Sequence, residues 1–114
     1  MNDMQQAIRA IESGNVPDEK LKEILKFAND TLAQYEQGLN FLDKVDEDNW
    51  TYEAMIEATR LGGGGGFERW RWDQMFPHDR LELRTTLINT IHQGQQVFGE
   101  LKATVEAELA KGKG

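Results

Sequence analysis

Leu21, Leu25, Ala28, Leu32, Tyr35, Leu39 and Leu42 recur in alternating steps of four and three. This spacing holds side chains on one face of an α-helix through three heptads, about 32 Å of helix. Ile24, Phe27 and Phe41 flank the seam and widen the apolar stripe beyond what a two-stranded zipper uses, so a helical bundle is expected. Pro17 followed by Asp18 and Glu19 suits the first turn of this helix, because proline needs no N–H partner there and acids complement the positive end of the dipole. The helix is therefore placed at 17–45. Upstream, Met4, Ala7, Ile8 and Ile11 line one face of a shorter helix over 3–13, which Gly14 is placed to end.

The acidic run Asp46-Glu47-Asp48-Asn49 reads as a break, with Asp48 or Asn49 capping a helix that begins at Trp50 and reaches Leu61. Five glycines, 62–66, follow as a flexible loop. Phe67 to Phe76 alternates briefly as a strand would but also fits a helical turn, and is read as irregular or short helical. Pro77 then opens a last helix to about Ala110, striped by Leu87, Ile91, Gly94, Phe98, Leu101, Val105 and Leu109. Glycine in a helix interior costs about 1 kcal/mol relative to alanine, so Gly94 and Gly99 call for a neighbouring helix at close range. The expected architecture is all-α: one domain over 1–114, built on two long antiparallel helices at 17–45 and 77–110, with two short helices and a frayed tail at 111–114. Leu25, Leu32, Leu39, Ile91, Phe98 and Leu101 are its expected buried positions.

With 114 residues the chain has room for one modest core. No apolar run approaches the roughly 18 residues of a membrane span. The opening residues lack the basic and apolar regions of a secretory signal, and cysteine is absent. A cytoplasmic protein without disulfides or thiol chemistry is expected. The formal charge of -7 opposes direct binding to nucleic acid or anionic lipid. That charge is unevenly placed: residues 1–59 hold 13 acids against 5 bases, whereas residues 60–84 hold 4 acids against 5 arginines. Most acids of the first half fall opposite the leucine seam and read as a solvated helix face rather than a mimic of nucleic acid.

Candidate chemistry concentrates beside the glycines. The glycine run itself has neither the Lys-Ser or Lys-Thr of a phosphate loop nor the spaced glycines of a dinucleotide site, and reads as a connector. Phe67, Arg69, Trp70, Arg71, Trp72 and Phe76 combine the residue types enriched at binding hot spots, and are the candidate partner-binding set. Arg60, His78, Arg80 and Arg84 could instead gather around an anion such as a nucleotide. The competing reading is that the tryptophans fill the core and the arginines make surface pairs. His78 and His92 lack metal-ligand spacing, and no nucleophile, paired carboxylates or cofactor motif is visible, so no metal, cofactor or catalytic site is expected. The sequence thus points to a non-enzymatic protein-binding module of regulatory, inhibitory or adaptor type. Two long striped helices carry more apolar surface than two short ones can cover, which adds the expectation of a homodimer. The alternative is a small-ligand protein binding an anion through 67–84.

Overall fold

A computed structural model describes residues 3–62 and 64–111. Gly63 of the glycine run and residues 112–114 of the expected tail lie outside the described residues. Five α-helices account for most of the described residues, and no strand occurs among them: α1 (Asp3–Glu12), α2 (Asp18–Lys44), α3 (Tyr52–Leu61), α4 (Arg69–Asp73) and α5 (Pro77–Lys111). The protein is an all-α helical bundle built on two long helices, α2 and α5. No helix among the described residues is long and apolar enough to cross a membrane.

Local chemistry sets the boundaries. Gly14 follows α1 with φ of +80°, the left-handed conformation a glycine adopts without a Cβ penalty, and its N–H donates to Ile11 O at 3.1 Å. Between α2 and α3 the expected cap is displaced. The Asp46 side chain caps a single 3₁₀ turn, Glu47–Asn49, and Thr51 caps α3 by accepting from the Ala54 N–H at 3.2 Å. Trp50 stands between them in extended backbone rather than opening the helix. It is buried, so the helix starts only after the indole has entered the core. Pro77 opens α5 as its spacing predicts.

The chain forms two compact units, to both of which α2 and α5 contribute residues. The first comprises the chain up to Leu32 and from Gln95 on; its core is Ile11 of α1, Leu21 and Ala28 of α2, and Leu101 and Val105 of α5. The second, Ala33–Gly94, packs Leu42, Trp50, Met55, Ala58, Trp72 and Ile91. Within this second unit α2 and α5 run antiparallel. Tyr35 lies against Gly94, Gly38 against Ile91, and Leu42 and Val45 against Arg84.

Every position of the α2 seam is buried or half-buried, but the burial is uneven. Of the six positions expected to be buried, Ile91 and Leu101 are; Leu25, Leu32, Leu39 and Phe98 are half-buried. Full burial of α2 coincides with a third element: Leu21 and Ala28 cluster with Ile11, and Leu42 with Met55, Ala58 and the two buried indoles. Elsewhere on the seam only part of the stripe is covered. Gly94 has the close neighbour its spacing called for, since a Cβ there would lie 2.6 Å from Tyr35 Cζ. Gly99 does not; nothing lies within 4 Å of its Cβ position.

Candidate protein-docking surface

The segment from Phe67 to Arg80 is pinned from below by one side chain. Trp72 is 5% exposed and meets Trp50 and Tyr52 edge-on, with ring centroids 6.4 and 6.1 Å away. The Arg80 guanidinium lies 4.9 Å from the Trp72 ring, and its Nε and Nη2 donate to Trp72 O at 3.0 and 2.8 Å. Trp50 Nε1 in turn donates to Arg80 O at 2.7 Å. At the other end the Tyr52 hydroxyl donates to Phe67 O. Both ends of α4 are thereby tied to α3, α5 and the core.

Successive helical residues are turned by about 100°, so two residues apart point to nearly opposite sides. With Trp72 inside, Trp70 is therefore outside, at 58% exposure, its indole N–H donating to the Glu68 carboxylate. Phe76, in the turn before α5, is 69% exposed and stacks on His78 with centroids 6.1 Å apart. Arg69 bonds Glu53 at 3.1 Å, reaches Asp73 at 4.0 Å and lies over the Tyr52 ring. Arg71 lies 4.7 Å from the half-buried Phe67 ring, and no carboxylate among the described residues pairs with it. Of the six candidate partner-binding residues, Trp70, Arg69, Arg71 and Phe76 are thus at the surface, Phe67 is at its edge, and Trp72 is core. Trp72 belongs to the buried core rather than to this surface.

The four candidate anion ligands do not converge. Arg60 forms a fork with Glu57 on α3, its Nε 3.1 Å from Oε2. The Arg60 hydrogen bond lowers the Glu57 carboxyl from its usual range, and the same bond raises Arg60. His78 Nε2 sits 3.1 Å from Asp79, and Arg80 is committed to Trp72 O. Arg84 donates to Leu42 O at 2.9 Å and Val45 O at 3.3 Å, satisfying carbonyls that the end of α2 leaves without helical partners. A cleft of about 330 Å³ has Leu39, Ile88, Asp43, Arg84 and His92 on its lining; of the four candidate anion ligands it takes in Arg84 alone. No group of three or more His, Cys, Asp or Glu side chains that could hold a metal occurs among the described residues.

Sequence reasoning missed the supports of this surface: Trp50, Tyr52 and Glu68. Their partners lie two to thirty residues away in the chain, and only the Glu68–Trp70 spacing left a local trace. No family model, curated protein or solved structure matches this chain.

Proposed function

We propose that the chain is a non-enzymatic protein–protein interaction module, a small cytoplasmic protein of regulatory, inhibitory or adaptor type, and that it holds another polypeptide on the outer side of α4 and the turn that follows. The observation that carries this reading is the pairing of two well-exposed aromatics, Trp70 and Phe76, with a segment fixed from beneath by Trp72. Exposed aromatic side chains on a preformed segment lose little conformational entropy on binding, the property that makes tryptophan a frequent hot spot. Arg71 adds a planar cation of five donors beside them. A polypeptide fits better than an anion, because Arg60, Arg80 and Arg84 already hold protein oxygens at three separate places.

The test is site-specific photo-crosslinking in cells that express the chain, with the reactive group placed at position 70 or 76 and, as control, at the exposed position Gln93. A discrete polypeptide adduct from 70 and 76 and none from 93 is expected. Trp70→Ala should weaken capture by about tenfold or more, as loss of a hot-spot aromatic does, without changing the melting temperature. Equal labelling from all three positions would remove α4 as a docking surface.

A further inference from the structure

The cleft of about 330 Å³ in the second unit has a lining of two kinds. Gly38 lies against Ile91, and Val45 O accepts from Arg84. In this antiparallel pair of helices Leu39 of α2 is therefore level with Ile88 of α5, and Asp43 with Arg84. Leu39, Ile88 and the buried Leu42 make one stretch of the lining apolar, and Asp43 and Arg84 place a carboxylate and a guanidinium at the end of it. Among the described residues Asp43 forms no ion pair, either with Arg84 or with any other cation. The Arg84 guanidinium is held in place through Nη2, which donates to Leu42 O and Val45 O, while its Nε is buried without an acceptor. A buried donor left unmet is destabilising, so an acceptor brought from outside the chain gains more at Arg84 than at a solvated cation.

We infer that this cleft binds a small zwitterion with an apolar substituent, of the class of α-amino acids with aliphatic or aromatic side chains. The carboxylate of such a ligand accepts from the Arg84 guanidinium, and its ammonium group donates to Asp43. Its side chain lies along Leu39, Leu42 and Ile88, exchanging water for apolar contact. Each part of the ligand thus meets one part of the lining. A simple anion uses Arg84 alone and an amine uses Asp43 alone, whereas a molecule carrying both charges close together uses the two sides of one rung. Two carbonyls fix the guanidinium beforehand, so little side-chain freedom is lost when the ligand arrives. The volume lies near the lower end of the roughly 300–1,000 Å³ of small-molecule sites, which suits an amino acid better than a nucleotide. The site stands apart from the outer side of α4 and does not depend on the docking reading.

Calorimetric titration of the purified full chain with L-leucine and L-phenylalanine to about 10 mM covers any dissociation constant of about 1 mM or tighter. At least one should bind saturably, raise the melting temperature by mass action, and shift the amide NMR signals of residues 39–43 and 84–92. Analogues lacking one part of the ligand separate the contributions. Glycine lacks the apolar part, isocaproate and hydrocinnamate lack the ammonium group, and isoamylamine and phenethylamine lack the carboxylate. Each should bind about tenfold or more weakly than the parent amino acid, the scale of a lost charged hydrogen bond or a lost apolar side chain. Asp43→Asn, at an exposed position, should melt with the parent but lose about tenfold or more in affinity for the amino acid, and so no longer prefer it to the matching acid. Binding by neither amino acid overturns the inference, as do amide shifts confined to residues outside the cleft. Isocaproate or hydrocinnamate binding the parent as tightly as the matching amino acid also overturns it, as does an Asp43→Asn variant that keeps full affinity.

Discussion

Trp72→Ala and Trp70→Ala remove the same side chain two residues apart and should have opposite consequences. Trp72 is enclosed by Trp50, Tyr52 and the Arg80 guanidinium, and truncating it leaves a cavity that backbone-tethered neighbours cannot close. Truncation of a buried large aromatic costs about 3–5 kcal/mol, and the absence of both edge-on ring pairs from the variant places this case towards the upper half. At roughly 4 °C per kcal/mol for a chain of this length, the melting midpoint should fall by about 10–20 °C. The Arg80 bonds to Trp72 O involve the backbone and survive the substitution, so helix content at low temperature should be retained. Trp70 is 58% exposed and contacts a surface carboxylate, so Trp70→Ala should stay within about 0.5 kcal/mol of the parent. Thermal and urea melts followed by circular dichroism in the helix band measure both. A Trp72→Ala variant that melts within a degree or two of the parent, or a Trp70→Ala variant that is destabilised as much as Trp72→Ala, would refute the assignment of inner and outer faces to α4.

Leu42→Ala, at a fully buried position, should cost about 3 kcal/mol, and Leu32→Ala, half-buried, less than half as much; equal urea midpoints would show the seam to be evenly covered. Gly99→Ala should gain up to about 1 kcal/mol from helix propensity, whereas Gly94→Ala should not share that gain because the Tyr35 ring must first swing away. Equal rises in melting temperature would contradict the close approach at Gly94. Arg84→Ala should lower stability by about 2 kcal/mol, the scale of hydrogen bonds from a charged donor, and millimolar phosphate or ATP should leave the parental melting temperature unchanged; a rise on adding either would restore the anion reading.

How far the sequence reveals this fold depends on how long each apolar pattern runs. The seam from Leu21 to Leu42 samples the helical period six times, so its face and its ends could be read directly. The same continuity carries no mark of the two compact units. The stripe runs on from Leu32 to Tyr35 across that division without a break, because a helix needs an apolar face wherever it is covered, and the period does not say which neighbour covers it. The capping error has a related cause. Asp46, Asp48, Asn49 and Thr51 all carry an oxygen able to accept from a helix N–H, and the choice among them was made by the burial of Trp50 rather than by local propensity.

In α4 the pattern is too short to declare a period at all. Trp70 and Trp72 lie on opposite sides of a helical turn, so one must be inside and the other outside, but which one depends on Trp50, Tyr52 and Arg80, all eight or more residues from Trp72. The arginines mislead for a more general reason. Five of them within residues 60–84 suggest a ligand only if their donors converge, and a guanidinium is equally suited to the unpaired carbonyls at a helix C-terminus. Arg84 finds its acceptors 42 and 39 residues back along the chain. In a bundle with long helices and few loops, such ends are ready acceptors for surplus arginines. What remains informative is the cation with no such acceptor, and among the described residues of this segment that cation is Arg71, beside an exposed indole.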